Sequence, residues 1–287
     1  MPNSHKRNLG ELIAKYKLHP NLRDLYVEGP RDQYFFSNYA GASGLNRVAV
    51  YPIGEFDIDP VPVAEGGGGH SGRLLTLAFG LDAALGNNSY GARCLIDRDF
   101  FGLLFPAPPS THLFMTDYGC LESYALTIQS MNDLWSMYFL KNTSEEEIDS
   151  VITVANSVFL LRATKFMLDH STPWLKNYSG ELGFENQVVT FDEGQFIQKL
   201  IARSAGSLSI ESFNAMKAQL TPQLQGDRRL FVHGHDLIKI LAWLGREKNA
   251  SHHLCNEEPL KGALLVSIDR GAIQGEPLFT ALELWAT

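Results

Sequence analysis

Two hydrophobic periods alternate along the first half of this chain. Short apolar-rich runs at 21–27 (NLRDLYV), 46–53 (NRVAVYPI), 91–96 (GARCLI) and 112–115 (HLFM) have the length and boundaries of strands. Pro30, just after Glu28-Gly29, fits the first turn of a helix running through Phe35 and Phe36 to Tyr39. Leu74, Leu75, Ala78, Leu81 and Leu85 form one apolar stripe on a helix from about Ser71 to Leu85. Thr116-Asp117-Tyr118-Gly119 then turns the chain into a helix carrying Glu122, Tyr124, Leu126 and Ile128. Strands separated by helices predict an α/β fold, with a mainly parallel sheet flanked by helices and joined by right-handed crossovers.

Beyond Thr143 the helical period dominates. Thr143 or Ser144 caps a long helix whose Glu145, Glu146 and Glu147 suit the N-terminal dipole, with Ile148, Val151, Ile152, Val158 and Leu161 as its apolar face. Further helices are expected at 195–205, 209–220 and 235–246, and a short hairpin at 180–191. These readings divide the chain into an α/β core, 1–142, and a mostly helical region, 143–287, suited to dimerisation, partner or substrate contacts.

A net charge of −8 argues against a protein that coats nucleic acid, because that affinity comes from many cations neutralising phosphates. A local site is compatible with it, since a divalent metal among carboxylates inverts the field where they converge. Cys94, Cys120 and Cys255 form neither an even framework nor a CxxC pair, so no disulfide scaffold is expected. No uninterrupted apolar run approaches the ~20 residues of a membrane helix, and the polar opening has no signal-like apolar stretch. A cytoplasmic protein without a membrane partner is the expectation.

The carboxylates carry the chemistry. Ligands collect outside the carboxyl ends of strands in a parallel sheet. Glu28 closes the first expected strand, Asp97 and Asp99 the third, and Glu122 opens the helix after the fourth. Alternate side chains of an extended segment share a face, so Asp97 and Asp99 can reach one metal region. Mg²⁺ accepts a few carboxylates, keeps several waters and fills its remaining positions with phosphate oxygens. Metals at Glu28, Asp97 and Asp99 would position an attacking water and stabilise the oxygens of an in-line displacement.

The segments LYVEGPRD (25–32), CLIDRDF (94–100) and TDYGCLESY (116–124) resemble the TOPRIM-like proteins related to overcoming-lysogenization-defect (OLD) nucleases. They most resemble the subfamily that partners an ABC-type ATPase in anti-phage defence, including the nuclease effector of the PARIS system. The resemblance covers the first half as a TOPRIM core, and the helical half loosely through FVHGHDLIKIL (231–241). It implies Glu28 as the motif glutamate, Asp97 and Asp99 as the DxD pair, and Asp32 and Glu122 as further metal ligands. It also implies Mg²⁺, with Mn²⁺ able to substitute, and a nuclease held silent by its ATPase, then released to cut transfer RNA as a homodimer. The substrate, RNA before DNA, rests on the resemblance alone. Two alternatives stay open: a DNA nuclease or nickase of the OLD type, and a TOPRIM-shaped regulatory subunit without catalysis of its own.

Each motif also has an ordinary reading. Glu28-Gly29-Pro30 suits a turn, Asp97-Arg98-Asp99 a solvated loop, and Asp32 and Glu122 helix starts where acids are common. The run from Gly66 to Arg73 has Arg73 and Leu74 where a phosphate-binding loop has Lys and Ser/Thr, so ATP binding there is not expected. His70, Ser71 or Arg73 could still touch a substrate phosphate, as could His235. His233 and His235 with Asp236, and His252 and His253 with Cys255, lack zinc spacing and suit caps or surface positions better. Trp135, Tyr138 and Phe139 suit core or interface better than base stacking.

Overall fold

Chain order in the computed structural model begins with α1 (Leu9–Leu18), β1 (Arg23–Val27), α2 (Pro30–Ala42), β2 (Val48–Pro52), α3 (His70–Leu85), β3 (Ala92–Ile96) and β4 (Leu113–Met115). It continues with α4 (Ile128–Ser136), α5 (Glu145–Leu168), β5 (Leu182–Glu185), β6 (Val188–Phe191), α6 (Glu193–Arg203) and α7 (Ile210–Leu220). The last elements are α8 (Gly234–Glu247), α9 (Glu257–Ser267), α10 (Arg270–Ile273) and α11 (Pro277–Ala286). The structure describes residues 6–60, 69–86, 91–137, 143–249 and 255–287. Gly66–Gly68, Tyr138, Phe139, His252 and His253 lie outside the described residues, and with them the readings made there.

Two compact units interleave along the chain. The first comprises Met1–Asp97, Ala107–Asp117 and Arg270–Thr287; the second comprises Arg98–Pro106 and Tyr118–Asp269. This differs from a division at residue 142. Residues 118–142 belong with the second unit, and the chain's last helix returns to the first. The reason is apolar pairing: Phe279 of α11 stacks on Phe36 at 6.1 Å and lies 4.8 Å from the ring of Tyr39, closing the outer face of α2.

The sheet of the first unit has the order β2-β1-β3-β4, and every neighbouring pair is parallel. β1 and β3 occupy the two inner positions, which explains their near-continuous burial from Asp24 to Val27 and from Cys94 to Ile96. Helices α2 and α3 are the crossovers from β1 to β2 and from β2 to β3, as the hydrophobic periods predict. Leu74, Leu77, Ala78 and Leu81 of α3 are fully buried. Asp24 at the entry of β1 is buried too, and it is satisfied by Lys15 and by the Tyr16 hydroxyl, 2.8 Å away. Burial raises the Tyr16 phenol far above its ordinary range, with Tyr26 and Asp24 adding to the effect.

Helix α5 is the spine of the second unit. Ser144 caps it by accepting the Glu147 amide, and Val151, Val154, Val158, Phe159 and Leu161 are buried. Among the described residues α5 alone has the length and mean hydropathy, 1.4, to cross a membrane, but 56% of that stretch is buried within the structure. A second core gathers Phe100, Phe159, Leu160, Ala163, Leu220 and Phe231. The expected hairpin is present as antiparallel β5 and β6. One expected element is broken. Residues 122–128 do not share a helix: a 3-10 turn at Leu121–Ala125 ends, and the Thr127 hydroxyl, accepting the Ser130 amide, starts α4 afresh.

Candidate functional site

Glu28 and Asp97 immediately follow β1 and β3, the two inner strands. The strands are parallel, with Tyr26 opposite Cys94, so both carboxylates stand at the carboxyl edge of the first unit's sheet on adjacent strands. Neighbouring strands are about 4.8 Å apart, which is the scale on which two carboxylates can share a hydrated cation. Both residues are half-buried. Ser71, in the first turn of α3, donates its hydroxyl to Glu28 Oε1 at 2.6 Å. Ser71, read from the sequence as a contact for substrate phosphate, therefore orients Glu28. His70 sits beside Gly54, and Arg73 continues the first turn with its amide bonded to Gly69 O.

Asp32 has a structural task. Its Oδ2 accepts the Gly29 amide at 2.9 Å, closing the start of α2, as its alternative reading as a helix-start acid required. Gln33 Nε2 donates to Val50 O and ties the same turn to β2.

Asp99 and Glu122 belong to the second unit. Asp99 has φ 42°, the left-handed region that Asp tolerates better than most residues, and its amide donates to Gly119 O at 2.9 Å. Its backbone is thus set by the bend at Gly119. Glu122 is almost fully buried and accepts the Lys261 ammonium at 2.8 Å. Burial alone would raise its pKa, but the charge and hydrogen bond of Lys261 outweigh that and hold it below the usual carboxylate range. The ammonium does for Glu122 what a metal would otherwise do, so Glu122 does not fit the metal role expected of it. Among the described residues no three His, Cys, Asp or Glu side chains stand close enough to hold one ion. An oxygen-only pair at Glu28 and Asp97 nevertheless suits Mg²⁺, which is commonly held by one or two carboxylates together with waters and substrate phosphates.

The sequence reading grouped Asp236 with His233 and His235 but missed the buried cluster it joins. Asp236, 1% exposed, accepts Arg162 Nε at 2.8 Å and Nη2 at 2.7 Å on Oδ2, while Oδ1 takes the Tyr178 hydroxyl at 3.2 Å. Burial opposes the charged form, yet Arg162 and His233 prevail and lower the Asp236 pKa. His235, beside it in the first turn of α8, is exposed; partial desolvation, then His233 and Lys261, lower its imidazole pKa against the pull of Glu122 and Asp236. The signal available was Asp at the first turn of a strongly amphipathic helix; its arginine lies in another helix far along the chain.

In the first unit His112 is buried, its Nδ1 2.7 Å from Asp82 Oδ1 and its Nε2 without a hydrogen-bond partner among the described residues. Burial lowers the imidazole against the opposing bond to Asp82. Burial would raise Asp82, but bonds from Ser110, His112 and Thr111 overcome it and lower the carboxyl. Both folded pKa values are thus depressed. The stability from neutral His112 is full above its unfolded value of about 6.5 and is lost as pH falls; that from Asp82 is full above about 3.9 and is lost as pH falls through its folded value. Melting temperature should drop between about pH 7.5 and about pH 5, and His112→Gln should make that drop shallower. An identical slope in the variant would refute the assignment.

No protein-family model matches the chain, and no curated protein aligns with it.

Proposed function

We propose that this chain is a divalent-metal-dependent phosphodiesterase, an endonuclease acting on RNA. The observation that supports it is the placement of Glu28 and Asp97 at the carboxyl ends of adjacent inner strands of one parallel sheet. In this reading Glu28 and Asp97 hold Mg²⁺, or Mn²⁺ in its place, and Asp99, expected as a third ligand from the D-x-D spacing, is left out of the pair. When bound, the metal supplies Lewis-acid stabilisation of phosphate oxygens and a more acidic bound water. Ser71 keeps the Glu28 carboxylate aimed by donating to one oxygen and leaving the other for ligation. His70 and Arg73 in the same turn, and the positive end of α3, favour an approaching phosphate.

The biological part of the proposal follows the resemblance: a cytoplasmic anti-phage effector, released from an ABC-type ATPase to cut transfer RNA as a homodimer. A second reading, a regulatory subunit without catalysis, is favoured by one observation, the neutralisation of Glu122 by Lys261. The two are separated by incubating the purified chain with Mg²⁺ or Mn²⁺ and labelled transfer RNA, duplex DNA or plasmid. Glu28→Gln and Asp97→Asn should each reduce cleavage by more than the roughly 10–100-fold typical of removing an outer-shell partner. Ser71→Ala should fall within that range. Cleavage that survives both carboxamide variants would reject the site. Absence of cleavage on every substrate, with tight binding to an ATPase, would favour the regulatory reading.

A further inference from the structure

The second unit contains a cavity of about 310 Å³ walled by α8, the start of α9 and the segment leading into the 3-10 turn Ser179–Glu181. Its size falls at the lower end of the ~300–1,000 Å³ range of small-molecule sites. Lys239, Trp243 and Arg246 reach it from one face of α8, at the i, i+4, i+7 spacing that aligns side chains along a helix. Lys176 joins them from a different part of the chain. Three cations therefore converge, in a protein of net charge −8, on a cavity whose wall carries one carboxylate, Glu257.

These cations are largely uncommitted. Among the described residues Lys176 and Lys239 make no ion pair or hydrogen bond within contact distance, although the Lys239 charge helps to lower the Asp236 pKa and its Nζ lies 6.0 Å from the centre of the Tyr178 ring. Arg246 gives one N–H to Cys255 O at 2.8 Å, which fixes its guanidinium and leaves other donors of the fork unused. Aromatic surface completes the wall. Tyr178, held by its hydroxyl bond to Asp236, and Trp243 line the floor but are 3% and 6% exposed, so they give the cavity a rigid backing and little open ring surface.

Converging like charges cost free energy unless an anion offsets them. A phosphomonoester, with about −1.5 to −2 charges and three acceptor oxygens, matches two lysines and an arginine fork better than a monocarboxylate does. We propose that this cavity binds the phosphomonoester of a nucleotide, either a free mononucleotide or the terminal phosphate of a nucleic-acid strand. The site uses residues of the second unit alone and does not depend on Glu28 or Asp97.

The test is calorimetric titration of the full chain with AMP, adenosine, inorganic phosphate, and a trinucleotide with and without a 5′-phosphate. AMP should bind at least about tenfold more tightly than adenosine, and Lys239→Gln and Arg246→Gln should each weaken AMP by about tenfold or more, the usual worth of a charged hydrogen bond. Lys176→Gln, at an exposed position, is a third variant whose folding is not at risk. Tighter binding of the phosphorylated trinucleotide than of AMP would assign the site to strand ends, and the reverse to free nucleotides; both support the proposal. Equal binding of AMP and adenosine would overturn it. So would no saturable AMP binding at roughly millimolar concentration, or affinity unchanged in all three variants. Glu28→Gln should leave AMP affinity unchanged, so a failed nuclease assay and a failed titration are separate results.

Discussion

Lys261→Ala should destabilise the protein by about 3–5 kcal/mol, because it leaves the Glu122 carboxylate buried without its countercharge. Glu122 is 2% exposed and Lys261 lies 2.8 Å from it. Gly234 closes off the other carboxylate oxygen: a methyl group there would already lie 2.7 Å from Glu122 Oε2 and 3.3 Å from Cys120 Cβ. Removing both charges should cost far less, since an uncharged pair of similar volume avoids the desolvation of two ions. The measurement is denaturant unfolding of Lys261→Ala and of Glu122→Gln combined with Lys261→Met. If the single variant is as stable as the parent, the carboxylate has another partner and the pairing argument fails. If Mg²⁺ restored the single variant specifically, Glu122 would regain a claim to metal.

Gly119→Ala is expected to cost about 3 kcal/mol or to prevent folding, at the upper end of what overpacking does. A Cβ there would stand 2.1 Å from the Val232 carbonyl oxygen and 3.0 Å from those of Leu230 and the Val232 amide nitrogen, all main-chain atoms that cannot rotate aside. Gly119 also donates its amide to Arg229 O and accepts the Asp99 amide. The substitution therefore pries apart the segment that holds the left-handed backbone of Asp99. A folded variant with parental unfolding midpoint would show that this close approach is absent in solution. Gly41→Ala, where an added methyl meets nothing within 4 Å, is the matched control and should change stability little.

Local signals in the chain were sufficient for the sheet and its crossovers. β1 and β3 announce themselves because inner strands are buried on both faces, and Pro30 and Ser144 mark helix starts through chemistry confined to one turn. The break at Thr127 was equally local, a hydroxyl capping Ser130, but an apolar spacing that continues across it hid the cap. The candidate site divided along the same line. That Glu28 and Asp97 end strands is a local property, whereas their adjacency depends on β3 pairing with β1 instead of β2. The partners of Glu122 and Asp236 were not legible, because Lys261 and Arg162 are distant in sequence and nothing in either residue's surroundings specifies the other. The bond from Ser71 to Glu28 was not legible for a related reason: a hydroxyl at a helix start has many uses, and only the fold brings Glu28 within 2.6 Å.

The interleaving of the two units has a consequence for synthesis. The chain passes between them after Asp97, Pro106, Asp117 and Asp269, so the whole second unit is made before α11, the element that completes the first, leaves the ribosome. Until then Phe35, Phe36 and Tyr39 of α2 lack the Phe279 side chain that covers them. The unit carrying Glu28 and Asp97 is begun before the second unit and completed after it, which ties completion of the acidic edge to synthesis of that whole intervening unit.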